Sequence, residues 1–467
     1  VDLSTIAAAV LTVVLGMWLL LLSGWLFYNL WLMWLAWRLR DAAPVRPPLP
    51  ATLPRVTVQL PVYNEEAVVA RLLAAVGQLE WPSELLQIQL LDDSTDDTPR
   101  IAADAIAELR ARGLDVSHVR RTVRSGYKAG ALEAALPSAT GEFILILDAD
   151  FVPAPDLLSR LIPWFNDPGI AMVQARWGPL APAARLIERT VGYWIERHFA
   201  IEQVARSRSG QFFHFNGSGG IWRRSVIAEA GGWSADTLAE DLDLSLRAWL
   251  RGWRFIYDHE VIVPAEIPAS AAALRIQQSR WSRGAFQMAR KALASLGRAS
   301  WRDRVTVMLQ VTGYSFPILM LSLAVTAGPA AWASGYHPLL GRLAFDVPML
   351  GFCLALIVTV LLIGIMGGWR RGWLEVEAAA MGMALAPLLL QAGVAGLRRF
   401  GGEFKRTPKS ARAERATPPI VFVEAGIGGA ALASATFAVS AGAPWGALLP
   451  LLAGVGLLTF AWRTVRP

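Results

Sequence analysis

From Leu3 to Trp37 the chain carries no charged residue, and no other feature limits its fold as strongly. A helix needs about 20 apolar residues to cross a bilayer, so this run is long enough for one tilted span with a Trp-rich end. Arg38, Arg40, Arg46 and Arg55 follow it. Positive-inside reasoning therefore places the N-terminus outside and the chain after Arg38 in the cytosol. The run is too long for a cleaved signal peptide and has no basic segment before it.

Uncharged stretches return at Val305 to about Leu340 and Val347 to Trp369, and apolar segments near Val421 to Ala441 and Trp445 to Trp462 are divided by Gly442-Ala443-Pro444. With 54% hydrophobic residues but frequent charge between Arg38 and Arg304, the chain reads as a soluble unit set between membrane helices. The expected divisions are an N-terminal helix over 1–40, a cytosolic domain over 41–300 and a membrane region over 301–467. Ala378 to Leu397 is apolar but holds Pro387 and Gln391, between Arg370-Arg371 and Arg398-Arg399. Spanning would strand one basic flank outside, so the expectation is an interfacial or re-entrant segment and five true spans, with a sixth ordinary span as the alternative. The net charge of +7 collects beside anionic lipid and calls for no nucleic-acid partner. The single Cys353 allows no disulfide.

In the central unit, the β-rich run Arg55 to Pro61 precedes helical spacing over Glu65 to Gln78. A second strand is predicted over Leu85 to Leu91, before Asp92-Asp93-Ser94 and a helix from Thr98 to about Arg112. A third unit passes through Lys128 and a helix over Ala129 to Ala135 into the strand Phe143 to Leu147, which ends in Asp148-Ala149-Asp150. The expected fold is α/β, with helices on both faces of a sheet. Ligands of such sheets lie beyond the carboxyl ends of strands, where Tyr63, Asn64, Glu65, Asp92, Asp93, Asp148 and Asp150 fall.

There is no GxGxxG and no Walker motif, so a dinucleotide dehydrogenase or a P-loop enzyme is excluded. Two carboxylates one residue apart suit a hard divalent cation that holds a diphosphate, although a lone pair of this kind is also an ordinary acidic turn. Lys128 and Arg280 are candidate phosphate ligands. Glu240-Asp241 opens a predicted helix, where acidic residues cap well and where a carboxylate is also oriented to take a proton. Gln277, Arg280 and Trp281 fall within five residues of another predicted helix; Arg suits a diphosphate and Trp the face of a sugar. The stretches Ala184 to Arg206 and Ala272 to Arg290 are amphipathic candidates for lying at the membrane.

The set Pro61-Val62-Tyr63-Asn64-Glu65, Leu91-Asp92-Asp93-Ser94, Tyr127-Lys128-Ala129-Gly130, Asp148-Ala149-Asp150, Glu240-Asp241 and Gln277 to Trp281 resembles the D, D, D, QxxRW signature of membrane-embedded family 2 glycosyltransferases. Val173 to Trp177, Phe215-Asn216-Gly217-Ser218, Gly231-Gly232-Trp233 and Arg251-Gly252-Trp253 are similar to cellulose synthase-like mannan and glucan synthases. The resemblance implies a GT-A-like domain in which Tyr63, Glu65 and Asp92 or Asp93 hold the base and ribose, and Lys128 the diphosphate. It implies that Asp148 and Asp150 flank the nucleotide and bind Mg or Mn, with Asp150 the direct ligand, and that Gln277 and Arg280 serve the donor. Asp241, beside Glu240, would be the base of an inverting displacement, with Trp281, Asn216 and Gly217 at the acceptor. Ala239 stands where the family often has Thr, so that hydroxyl is missing. Phe404-Lys405-Arg406-Thr407-Pro408-Lys409 is similar to the F-x-V-T-x-K gating loop of cellulose synthase, with Arg406 in place of Val. Phe404, Thr407 and Lys409 would then close over the nucleotide from the cytosolic side.

These features predict a processive synthase in a bacterial-type inner or plasma membrane. It would take a nucleotide sugar, with UDP-glucose favoured over GDP-mannose, and extend a glycan that leaves through the membrane region. A single-transfer enzyme resembling ceramide glucosyltransferase is the alternative, and a non-catalytic sugar-binding transporter a more distant one.

Overall fold

The computed structural model of the chain describes residues 3–182, 185–334, 347–404, 406–407, 420–441 and 445–465. Seven strands form one mixed sheet: β1 (Val56–Val62), β2 (Leu86–Asp92), β3 (Asp115–Arg120), β4 (Phe143–Ile146), β5 (Ile170–Pro179), β6 (Gly220–Arg223) and β7 (Arg254–Ala265). Their order is β3-β2-β1-β4-β6-β5-β7. The first four are mutually parallel, and β6 runs antiparallel to both β4 and β5. Central parallel strands are covered on both faces and so read as near-continuous apolar runs. All of β2 and six of the seven residues of β1 are buried accordingly. The polar side chains caught inside pair across the ladder: Thr57 donates to Gln87 at 2.9 Å and Gln59 to Gln89 at 3.0 Å.

One core, built on Val58, Leu60, Leu72, Ile88 and Leu145, packs helices Val69–Val76 and Thr98–Ala111 on one face. The other, built on Ile144, Ile146, Phe215, Trp222 and Leu244, packs helices Tyr127–Ala135 and Glu240–Trp249. The chain order reverses between β1 and β4. That reversal opens a crevice at their carboxyl ends, into which the loops after both strands project.

Among the described residues, four helices are long and apolar enough to cross a membrane, in the stretches Val13–Arg38, Trp369–Arg398, Ile420–Ser440 and Gly446–Arg463. Trp301–Val311 and Ser315–Pro329 form a further apolar pair bent by 69°, and Leu350–Ile365 is a shorter apolar helix. Trp369–Arg398 meets the α/β domain at both ends. Near its start, Arg371 pairs with Glu196 at 2.6 Å and Glu375 accepts from Tyr193 at 2.7 Å, both partners lying on helix Leu186–Arg197. Near its end, Arg290 donates to the Leu397 carbonyl at 3.1 Å and Gln287 to that of Arg399 at 2.9 Å, from helix Ala271–Ser295.

Helix Ala271–Ser295 is also tied to an apolar helix by charge. Arg275 Nε donates to Glu424 Oε1 at 3.1 Å, and Glu424 is fully buried within Ile420–Ser440. The Arg275 guanidinium also lies 4.3 Å from the Phe460 ring centroid. Removing one partner of such a pair leaves a buried charge uncompensated, at a cost of roughly 3–5 kcal/mol. Glu424→Ala should therefore lower the thermal unfolding midpoint in detergent sharply, while Arg275→Met with Glu424→Leu should recover most of the loss. Equal midpoints for wild type and Glu424→Ala would show that the pair contributes nothing.

Candidate active site

A single cavity of about 670 Å³ runs from the carboxyl ends of β1 and β4 to the apolar helices. Tyr63, Glu65, Asp93, Lys128, Asp148, Asp150, Asn216, Gly217, Glu240, Asp241, Gln277, Arg280, Trp281, Phe404 and Thr407 all line it. Its far end is walled by Tyr28, Pro317, Met320, Gly382 and Leu385. Lys409 lies outside the described residues. Asp92 does not line the cavity: its carboxylate is buried, accepting from the Ser94 amide and bonding His118 Nε2, each at 2.8 Å. Burial alone would push that carboxyl up, but the bonds to His118 and Ser94 outweigh it and hold it below the ordinary value. Asp92 thus fixes the end of β2, while Asp93, paired with Arg121, faces the cavity.

Lys128 organises the centre. It sits in the first turn of helix Tyr127–Ala135, entered through Gly126 and Tyr127, both left-handed at φ +69° and +50°. Holding a tyrosine there carries strain, and it turns Lys128 inward. Nζ donates to Asp148 Oδ1 at 2.6 Å and to the Gly217 carbonyl at 2.7 Å, with Glu240 at 3.9 Å. Burial would draw the ammonium pKa down, but Asp148, Glu240 and Asp241 together raise it. Gly217 permits this approach. Its φ is +83°, and a Cβ there would stand 3.0 Å from Asp241 Oδ2.

Asp241 occupies the first turn of helix Glu240–Trp249, where its Oδ1 accepts the Leu242 amide at 2.8 Å. Burial, then the neighbouring Glu240 charge, push its carboxyl up to about 7 against the pull of Lys128 and the helix amides. A carboxylate poised near neutrality and facing an open cavity can accept a proton from a hydroxyl.

Asp148 and Asp150 leave β4 together, Asp148 with its amide donating to Ser218 Oγ at 2.8 Å. No cluster of three or more His, Cys, Asp or Glu suited to a metal occurs among the described residues. A pair of carboxylates nonetheless fits Mg or Mn of the kind that keeps waters and takes its remaining oxygens from substrate phosphates.

The loop after Trp369–Arg398 reaches the same cavity. Its base is pinned where Gln287 donates to the Gly401 carbonyl and the Gly401 amide to that of Asp236, each at 2.6 Å. Gly402 follows at φ +137°, where a Cβ would lie 2.5 Å from the Arg283 guanidinium. Phe404 then stacks on Tyr127, centroids 6.2 Å apart, beneath Arg280 at 4.2 Å. The hydroxyl of Thr407 and the Nε atoms of Arg280 and Arg406 are buried with no hydrogen-bond partner among the described residues. Buried polar atoms without partners are rare in folded proteins, and all three residues line the cavity.

Several lining residues escape sequence reading. Arg124 lies 3.4 Å from the Tyr63 ring centroid, and the only trace of it in sequence is its place four residues before Lys128. His198, Glu202 and His214 surround Asn216, whose side chain bonds His198 Nε2 at 3.0 Å and accepts from Gln203 at 2.6 Å. Burial, aided by nearby His198 and Arg206, pushes His214 down to about 3 and keeps it neutral.

Sheet order, the carboxylates beyond β4 and the Lys128 centre together define a GT-A nucleotide-sugar fold. A solved structure with the same fold, a mannosyltransferase from Pyrobaculum calidifontis in complex with GDP-Man and Mn2+, matches 82% of this chain and 99% of its own at TM-score 0.56 and 23% identity. The family model described as glycosyl transferase family group 2 matches residues 143–392, and the chain belongs to that family. Glucomannan 4-beta-mannosyltransferase 2 of Arabidopsis thaliana is 42% identical over 253 residues, covering 53% of this chain and 47% of that protein. Glucomannan 4-beta-mannosyltransferase 1 of Oryza sativa subsp. japonica is 40% identical over 269 residues, covering 56% and 50%. The chain thus spans about half the length of the curated relatives it matches.

The raised carboxyl of Asp241 has two measurable consequences. Transfer should weaken as pH falls through about 7, because the proton-accepting form is lost. A carboxyl whose folded pKa lies above its unfolded value favours folding most below the unfolded pKa and loses that advantage as pH rises to the folded one. Asp241→Asn, which mimics the protonated form, should therefore cut turnover by about 10²–10⁴-fold while leaving the protein at least as stable as wild type above pH 7. Turnover that survives in Asp241→Asn with an unchanged pH profile would remove Asp241 as the base.

Proposed function

We propose that the protein transfers mannosyl residues from GDP-mannose, with inversion, to the end of a β-linked glycan, and that it passes the growing product toward its membrane helices. The observation that carries this reading is the continuity of the cavity, which is lined both by Asp241 and Trp281 and by residues of the apolar helices. A donor bound across Tyr63, Glu65 and Asp93 would set its diphosphate beside Lys128 and Arg280. Asp241 would deprotonate the incoming hydroxyl, and Trp281 would support the sugar that bears it. Asp148 and Asp150 would hold Mg or Mn, which when bound neutralises charge on the departing diphosphate.

The preference for UDP-glucose gives way to GDP-mannose, because relatives near 40% identity over the catalytic region are mannosyltransferases by name. Incubating the purified chain with GDP-mannose should yield a long polymer on product sizing. A single glycolipid would favour one-step transfer, and incorporation from UDP-glucose alone would overturn the donor.

The catalytic side is the cytosol, and Trp369–Arg398 lies along that membrane face rather than crossing. Support comes from its contacts with helices Leu186–Arg197 and Ala271–Ser295, which hold both of its ends against one domain. Five spans then remain when the three other long apolar helices are joined by the bent pair Trp301–Val311 with Ser315–Pro329 and by the shorter Leu350–Ile365, each counted as one span. Single cysteines placed at Arg370 and Arg399, in a Cys353→Ser background, should react with an impermeant thiol reagent from the same face. Labelling from opposite faces would make the helix a span.

A further inference from the structure

Arg406 stands where the family's loop pattern has Val, and it turns inward. Its Nη2 donates to the buried Glu65 carboxylate at 2.8 Å across 341 positions of sequence. Phe404, wedged between Tyr127 and Arg280, fixes the approach of the loop two residues earlier. Two residues before Glu65 is Tyr63, an aromatic face at the same end of the cavity. A guanidinium and a carboxylate therefore stand side by side in a cavity that Tyr63 also lines, where the donor's base is placed by the reading above.

That pair has a definite complement. The edge of guanine offers two adjacent acceptors, N7 and O6, and Arg meets them with a bidentate fork. Its next two groups, N1–H and the N2 amino group, are donors that a carboxylate can accept together. Uracil has one N–H between two carbonyls, so it can answer neither the full fork nor the full carboxylate. A site built to hydrogen-bond one ligand rejects an analogue that leaves its buried groups unpaired.

We propose that Arg406 and Glu65 read the donor's base and select guanine, the hydrogen bond between them giving way to the nucleotide. This rests on the donor assignment above and adds the residues that impose it. The Val of the family pattern can supply no such donors, so the substitution at 406 is where this chain would acquire the preference.

Binding of GDP and of UDP to the full chain in detergent, measured by calorimetry without turnover, tests this directly. Wild type should prefer GDP. Arg406→Val should weaken GDP by about tenfold or more and UDP far less, since one bidentate base contact carries discrimination of that order. Arg406→Lys, which keeps the charge but not the fork, should recover little of the preference. Inosine diphosphate, lacking the N2 amino group, should bind wild type more weakly than GDP and lose that difference in Glu65→Gln. Equal weakening of GDP and UDP in Arg406→Val would reduce Arg406 to a loop anchor. Preference for GDP that persists in that variant would likewise overturn base reading alone, whereas a wild-type preference for UDP would overturn the donor assignment as well.

Discussion

A buried ammonium makes the rest of the site possible. Asp148 comes from the end of a strand, while Glu240 and Asp241 come from the start of a helix almost a hundred positions later. Three carboxylates drawn into a half-dry crevice repel one another unless a cation stands among them. Lys128 touches Asp148 and the Gly217 carbonyl directly and lies near Glu240. It leaves Asp241 only partly compensated, so burial and the neighbouring Glu240 charge still raise that carboxyl.

The sheet and the apolar helices meet in the same logic. Reversal of strand order between β1 and β4 opens the crevice, and antiparallel β6 then joins β4 to the parallel pair β5 and β7. Helix Ala271–Ser295 then carries Gln277, Arg280 and Trp281 along the cavity and is bound to an apolar helix by Arg275 and Glu424. Side chains that line the cavity and the side chain that binds an apolar helix are thus neighbours on one helix.

Much of this is legible in sequence. The run of β4 is visible because a buried parallel strand has no polar face to hide it, and β1 and β2 show by their β-branched and aliphatic residues despite the polar pairs Thr57–Gln87 and Gln59–Gln89. The helix expected from Glu65 begins instead at Val69, because Asn64 adopts φ +56° and the chain must first turn Glu65 toward the cavity. Within the amphipathic stretch expected over 184–206, His198–Gln203 is a π-helical turn, a local widening with no periodic signature, and it carries His198 and Glu202 to the cavity. The insertion of antiparallel β6 between β4 and β5 and the contacts of Arg124 and Arg406 were not legible. A pairing such as Arg406 with Glu65 depends on three-dimensional closure alone.

Gly401 and Gly402 bear on how far the loop over the cavity can travel. With the Gly401 carbonyl and amide both engaged and Gly402 pressed on Arg283, the chain is fixed up to that point. Each residue extends the backbone by at most about 3.6 Å, so Phe404 stays within roughly 7 Å of Gly402 in every conformation that keeps this anchor. The segment is a short-armed flap. While that root holds, Phe404 can release or grip the ring stacked beside it only within that radius.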